Sequence, residues 1–494
     1  MGLRHRHQVE SAADRLAATE RHERRCGVAG RINLAVCFPG PYALAMSNLG
    51  FLTVHRLACE TPDIGVERFF FGYEPGAAVR PPYYSFETRR PLGDFDILAF
   101  SFSFEGDFDR IPAIFGPLGL PVEAARRRRG RFPLLIAGGA AVAANAPALS
   151  RIFDVLVPGE AETVLGPMLT AFLGNGLAPE SVADLPGVWV PALRAEPVPQ
   201  PCRHDVAREP AWSHITTTAN VFGGASLFEA MRGCPRRCAF CLARVIYHPA
   251  RPVPAARLAA WLDERPDCRD LGLVAPSLFD HPEIEGILDL LAARGIRLRN
   301  SSVKWERLPD TILERLFACG VRGLTLAPET GSPERREGMG KPLREEAFYD
   351  TLERVRQHGF EHLKLYFMAG LPGETEADLD ATAGFICRLT ERFQGGFKGL
   401  SATVSGFVPK RGTAWEHEPV CPPDELRRRF GRLKMALRPA ADRIRVQFES
   451  PAEVARQARL ATVGPELAEE YEKEATACRE RGSAKNAPAS DLDF

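Results

Sequence analysis

The stretch RGCPRRCAFC, residues 232 to 241, gathers three of the chain's twelve cysteines. Cys234, Cys238 and Cys241 would share one face of a helix, so one reading is a core stripe of small apolar residues. Their neighbours oppose it. Gly233 and Pro235 disfavour a continuing helix, and Arg236 and Arg237 are poorly suited to burial beside thiols. The segment therefore reads as a loop presenting thiolates, with adjacent positive charge favouring the ionised form that metals require. Three soft ligands so close together point to metal. Zinc would need a distant fourth ligand, and zinc motifs usually come as two separated pairs, whereas this chain has no second pair at short spacing. A cubane iron-sulfur cluster normally takes four thiolates, so three local ones leave one iron open to another ligand.

The elements around the loop give it a position. Apolar runs alternate with helix-like segments through ASLFEAMRG, LGLVAPS, IRLRNSSVK, GLTLAPET, LKLYFMAGLPGET and LSATVSGFVPK. Helix candidates such as PEIEGILDLLAARG and LREEAFYDTLERVRQHG fill the intervals, and PPDELRRRFGRLKMALR follows the sixth strand. Six consecutive βα units make an open sheet or a partial barrel, and in a barrel chemistry belongs at the C-terminal strand ends. The cysteines come just after the first of these strands.

Upstream, RINLAVCFPG, FDILAFSFSFE, FPLLIAGGAA and FDVLVPGEAE are buried-type strands ending in small or polar residues. They predict a doubly wound parallel sheet with a ligand crevice at its carboxyl ends. The expected organisation is a polar extension over 1–29, a Rossmann-like domain over 30–190, a Pro-rich linker over 191–224, a (β/α)6 partial barrel over 225–421, and a helical segment with a disordered tail over 422–494.

Composition bounds the rest. Hydrophobic residues at 45% and charged residues at 26% suit a folded protein of more than one domain. Lys plus Arg and Asp plus Glu both total 63, so no global charge draws the chain to nucleic acid, and the basic run RRRRGR at 126–131 reads as a solvated loop. No apolar stretch suggests a signal peptide or a membrane span, so a cytoplasmic home is expected, with free thiols rather than disulfides. Cys37, Cys59, Cys268, Cys319 and Cys387 read as packing residues.

Cys-x3-Cys-x2-Cys with Phe240 before the last cysteine resembles the signature of the radical S-adenosylmethionine (SAM) superfamily, and the series of βα units is similar to that family's partial barrel. The resemblance implies a 4Fe-4S cluster on Cys234, Cys238 and Cys241, with SAM chelating the open iron. One electron from the reduced cluster then cleaves a carbon-sulfur bond and yields a 5′-deoxyadenosyl radical. It also implies SAM contacts at the other strand ends: backbone near Pro276 and Ser277, Ser301 and Ser302 on the third strand, Glu329 on the fourth, and Gly370 on the fifth. FVPKRGTAWE resembles the sixth-strand segment of cobalamin-associated members, with Lys410 and Arg411 facing substrate or solvent. A small-molecule substrate and a reductant such as flavodoxin or ferredoxin are the implied partners, with no membrane insertion and no nucleic acid.

The N-terminal strands resemble the cobalamin-binding domain that precedes the barrel in one large subclass. Ser101, Ser103, Gly138, Gly139, Gly159 and Glu160 are the implied cofactor contacts. The Asp-x-His-x-x-Gly motif that supplies a lower imidazole ligand elsewhere is absent, so the domain either binds cobalamin without it or has kept only the fold. Methyl transfer or radical rearrangement would follow from bound cobalamin. Two other readings stand beside this one: a methylthiotransferase-like tRNA or protein modification enzyme, with Cys26, Cys37 and Cys59 as ligands of a second cluster, and a noncatalytic metal-binding scaffold.

Overall fold

A computed structural model describes residues 2–74, 77–78, 83–194, 201–300 and 302–484. The chain divides into two units, Met1–His204 with Trp212–Gly224 and Val463–Phe494, and Asp205–Ala211 with Ala225–Thr462. The expected tail beyond 484 lies outside the described residues, as does 195–200 of the Pro-rich stretch. The remainder of that stretch is built into the two units, with Val206, Ala211, His214 and Ile215 buried.

In the first unit, β1 (Ile32–Phe38), β2 (Ile64–Phe70), β3 (Ile97–Ser101), β4 (Leu134–Gly138) and β5 (Val155–Val157) form one sheet in the order β2-β1-β3-β4-β5. Every pairing is parallel. This doubly wound order leaves its ligand crevice outside the carboxyl ends of the strands. The helix Leu49–Glu60 follows β1, its N-terminus capped by Asn48, whose Oδ1 accepts from the Phe51 amide at 2.9 Å. The helix Leu467–Ala484 returns to this unit and docks on Ile111–Leu118. Tyr471 fixes it by donating to Asp109 at 2.7 Å, and Glu472 by accepting from the Val122 amide at 2.8 Å and Arg126 at 2.9 Å.

Strand β2 escapes a reading by apolar runs because Glu67 and Arg68 interrupt it. Both are buried nonetheless. Arg68 donates to both oxygens of Glu20 at 2.8 Å and to Glu87 at 2.6 Å, while Thr88 donates to Glu67 through its amide at 3.0 Å and its hydroxyl at 2.6 Å. Burial alone would raise the Glu20 carboxyl, but the Arg68 charge and hydrogen bonds from His22, Arg68 and Tyr42 bring it down to about 2. Glu20 sits in the short strand Glu20–His22, which pairs antiparallel with Ile215–Thr217, so the polar N-terminal extension is part of the fold. The arginine run also departs from a wholly solvated loop. Arg127 is buried, donating to the carbonyls of Pro121 at 2.8 Å and Val122 at 2.7 Å and to Asp154 at 3.3 Å.

The cysteines divide. Cys37 and Cys319 are buried free thiols, as expected of packing residues. Cys59 instead forms a disulfide with Cys26, the Cα atoms 5.1 Å apart. A chain-order reading does not bring these two together, because the fold must close a sequence separation of 33.

In the second unit, β6 (Ser226–Glu229), β7 (Asp270–Val274) and β8 (Arg297–Leu298) form one parallel ladder. A second ladder contains β9 (Gly323–Glu329), β10 (His362–Ala369), β11 (Gly399–Gly406) and β12 (Arg445–Phe448), also parallel throughout. A parallel bridge between Ser302 and Thr325 links the two. Six of these strands are the six expected, separated by helices such as Ile284–Ala293, Asp310–Ala318, Glu345–Gln357 and Glu376–Arg392. β12 extends the series. No helix among the described residues is long and apolar enough to cross a membrane.

Replacing Arg68 by Met strands the buried Glu20 carboxylate, so Arg68→Met is expected to cost about 3–5 kcal/mol of stability, read as a lowered denaturation midpoint in urea. A midpoint unchanged from wild type would show that the cluster carries no such weight.

Candidate functional site

The cysteine loop leaves the carboxyl end of β6 and is closed at its base by antiparallel pairing of Met231 with Pro252 and Arg232 with Arg251. The three cysteines lie in irregular chain ahead of the short helix Leu242–Ile246, so the helical-stripe reading fails and the loop reading holds. Gly233 makes the turn into the loop at φ +84°, and a Cβ there would lie 2.4 Å from the Tyr247 carbonyl oxygen and 2.7 Å from that of Pro249. Only glycine fits both the backbone and the space.

Two backbone hydrogen bonds fix the loop's centre: the Ala239 amide donates to the Met339 carbonyl at 3.0 Å, and the Trp415 amide donates to the Ala239 carbonyl at 3.2 Å. Phe240 packs with Met368 and Trp415 against the buried group Met339, Leu371 and Phe407. This apolar wall adjoins the cysteines through Phe240, next to Cys241.

Charge fixes the loop's other flank. Arg236 forms a two-pronged pair with Asp280, at 3.0 Å and 2.8 Å, and the same carboxylate accepts from Lys304 at 2.7 Å, Arg307 at 3.2 Å and Ser277 at 2.6 Å. Those hydrogen bonds hold the Asp280 carboxyl well below the usual range although burial acts against them. Asp280 lies in the quoted segment after the second strand, yet an acidic residue among Pro and Phe gives no sign that three cations converge on it. At Cys238 the expectation that neighbouring arginines lower the thiol pKa is not met. Arg236 commits its charge to Asp280, and at Cys238 burial pushes the thiol up, against the pull of Lys341. The charges of Cys241 and Cys234 push it up further, and Lys304 opposes them.

The other strand ends vary in how closely they approach this loop. Glu329, at the end of β9, is buried and holds φ +68°, a strained conformation for a residue with a side chain. Its carboxylate accepts from Lys341, which also donates to the Ala327 carbonyl at 2.9 Å. Gly340, next to Lys341, packs on the Arg237 carbonyl and the Cys238 Cα, so Glu329, Lys341 and the cysteine loop form one neighbourhood. Ser277 is buried with its hydroxyl on Asp280, beside Pro276 in the turn after β7. Ser302 is exposed and bridges to Thr325, while Ser301 lies outside the described residues. Gly370 turns at φ +75° after β10, and its amide donates to Glu374 at 2.6 Å. Arg411 donates to the Thr462 carbonyl, and the Lys410 carbonyl accepts from the Thr413 hydroxyl at 2.7 Å.

In the first unit, Ser101, Gly138, Gly139 and Gly159 line one pocket of ≈ 50 Å³ at the ends of β3, β4 and β5, together with Val54, Phe100, Leu165 and Met168. Ser103 and Glu160 are engaged beside it. Asn48 donates to the Ser103 hydroxyl at 2.7 Å, and the buried Glu160 carboxylate accepts from the His204 amide at 2.6 Å. The cysteines required by a second, N-terminal cluster do not assemble: Cys26 and Cys59 pair with each other and Cys37 is buried as a free thiol within β1.

Residues 50–191 match the family profile for the N-terminal region of radical SAM proteins, and residues 228–386 match that of the radical SAM superfamily. An uncharacterised protein of Methanocaldococcus jannaschii is 26% identical over 391 residues, covering 78% of this chain and 79% of its own length. A tRNA-2-methylthio-N(6)-dimethylallyladenosine synthase of Cereibacter sphaeroides is 26% identical over 284 residues, 54% of this chain and 59% of that protein. Among solved structures, the radical SAM methyltransferase TsrM of Kitasatospora setae, with cobalamin and a [4Fe-4S] cluster bound, superposes with TM-score 0.58 at 13% identity, over 91% of this chain and 99% of that one. The cobalamin-dependent SAM radical enzyme OxsB gives TM-score 0.50 at 14% identity, over 72% of this chain and 51% of that one.

Gly233→Ala is expected to disrupt the loop without unfolding the barrel. Hydrogen exchange should rise at least tenfold over residues 233–246 and stay unchanged in β9 to β11, and loop exchange equal to wild type would contradict the close-packed turn.

Proposed function

We propose that this chain, a member of the radical SAM superfamily whose N-terminal region is built like a cobalamin-binding domain, is an enzyme that cleaves SAM reductively to act on a small-molecule substrate. The observation that carries the reading is the irregular loop of Cys234, Cys238 and Cys241 that follows the carboxyl end of the first barrel strand. The residues fit a cubane cluster, since three thiolates from one loop hold three irons and leave the fourth for SAM. When bound, the cluster supplies the electron that breaks a carbon-sulfur bond of SAM and leaves a 5′-deoxyadenosyl radical.

The chain's own residues hold and shield this chemistry. Phe240, Met368 and Trp415 keep water from the loop. Glu329 and Lys341 form a charge pair suited to the amino and carboxylate groups of SAM, Gly370 lets the chain approach the adenine, and Ser277 and the Pro276 backbone border the same strand-end edge. Ser302, which bridges to Thr325 after the third strand, is the corresponding group there, and Ser301 lies outside the described residues. The electron comes from a small reductant of the flavodoxin or ferredoxin kind.

Cobalamin belongs to the proposal through the pocket shared by Ser101, Gly138, Gly139 and Gly159. Its apolar lining suits the nucleotide tail of the cofactor, and Ser103 and Glu160 border it. At ≈ 50 Å³ the space holds about three or four waters, so the tail needs a wider opening than this pocket offers. Methyl transfer is the favoured outcome, supported by likeness to a methyltransferase over nearly the whole chain, with radical rearrangement second. The methylthiotransferase reading is disfavoured because its additional cysteine cluster does not assemble.

The test is anaerobic reconstitution with iron and sulfide, followed by dithionite and SAM. 5′-Deoxyadenosine should accumulate, and Cys234→Ala, Cys238→Ala or Cys241→Ala should each lower cluster absorbance and turnover at least a hundredfold while circular dichroism is retained. A loaded cluster that leaves SAM intact would refute the activity. Failure to retain hydroxocobalamin through gel filtration would remove cobalamin from the proposal and leave the rest standing.

A further inference from the structure

A second group of soft ligands lies in the first unit, away from any role in the chemistry above. Cys26 follows the short strand Glu20–His22, His55 and Cys59 lie four residues apart on the helix Leu49–Glu60, and His214 precedes the strand Ile215–Thr217. A four-residue step sets His55 and Cys59 on one helix face. The pairing of Glu20–His22 with Ile215–Thr217 brings the other two ligands alongside. Both histidines are 2% exposed.

The two sulfur distances are those of a coordination shell, and the contact between the imidazoles is a hydrogen bond that metal would replace. Nε2 of His55 is 3.7 Å from Cys26 Sγ and 3.7 Å from Cys59 Sγ, and its Nδ1 is 2.8 Å from His214 Nε2. One ligand atom from each of Cys26, His55 and His214 falls within 4.8 Å of the others. Tetrahedral zinc with bonds of about 2.0–2.3 Å spaces its ligand atoms roughly 3.3–3.8 Å apart. Nδ1 of His214 is buried without a hydrogen-bond partner. A disulfide alone would need neither imidazole, and the two buried, stacked histidines still leave one ring nitrogen, His214 Nδ1, unsatisfied.

We infer that Cys26, His55, Cys59 and His214 form a structural zinc site in the reduced protein. The Cys26–Cys59 bond is its metal-free oxidised form. Two electrons and two protons from a thiol reductant open that bond. Zn²⁺ then displaces the two thiol protons and changes no oxidation state. Two thiolates and two neutral imidazoles around Zn²⁺ carry no net charge, which suits burial. With all four positions filled by protein the metal has no open site, so its work is to tie the N-terminal segment, the first helix and residues 212–217 together.

The test separates this site from the cluster loop by using the full chain with Cys234, Cys238 and Cys241 all changed to Ser. The protein is reduced with a phosphine, given zinc chloride alone under nitrogen and desalted. About one zinc per chain should remain by mass spectrometry, and cobalt(II) alone should give the intense visible bands of a tetrahedral thiolate site. In that background Cys59→Ser or His214→Ala should reduce retained zinc at least tenfold. Zinc absent from a folded chain with free thiols at 26 and 59, or retained fully by both variants, overturns the inference. Should the triple variant not fold, X-ray absorption at the zinc edge of the cluster-loaded wild type decides: two sulfur and two nitrogen neighbours support the site, and no bound zinc sinks it.

Discussion

The carboxylate of Asp280 is the tie on which the geometry of the cluster loop depends. A buried carboxylate costs several kcal/mol unless it is matched, and here three cations and a hydroxyl converge on it from separate segments. The exchange is mutual. Arg236 would otherwise be a mobile charge beside the thiols, and Lys304 and Arg307 would leave the end of the third strand loose. One anion therefore orders the first three strand ends of the barrel, while the backbone hydrogen bonds of Ala239 order the loop against the later ones. A large inorganic cofactor requires its three ligands fixed at once, and a loop gains such fixity from its neighbours because it has no ladder of its own.

The strained Glu329 is the counterpart on the opposite ladder. A left-handed φ on a buried glutamate is maintained because Lys341 and the β9–β10 register over-determine it. Its position beside Lys341, whose neighbour Gly340 packs on the cysteine loop, makes strain and chemistry coincide, as they often do at functional sites.

Much of this was legible in the residues. The cysteine spacing with its glycine, proline and arginines excluded a helix, and apolar runs with small residues at their ends gave the six barrel strands and four of the five strands of the first sheet. Four of the six strand-end residues chosen there share one pocket. What escaped did so for a common reason: its partners are remote in the chain. Glu67 and Arg68 disguise β2 because the charges that neutralise them come from residues 20 and 87–88. Arg127 looks solvated until carbonyls from two loops surround it. Asp280 and the Cys26–Cys59 pair are equally silent in a local window. β12 was missed because RVQF is a short alternating run with little burial to mark it.

The return of the helix Leu467–Ala484 to the first unit carries a consequence for biogenesis. The apolar side of Ile111–Leu118 has no cover until that helix has been translated, roughly 260 residues after the rest of the unit. At about 5–20 residues per second the ribosome needs something like 13–50 s to cross that interval. During it, the face of Ile111–Leu118 around Gly116, which packs on Ala475, stays open to solvent and to chaperones, and the first unit, though begun early, closes late.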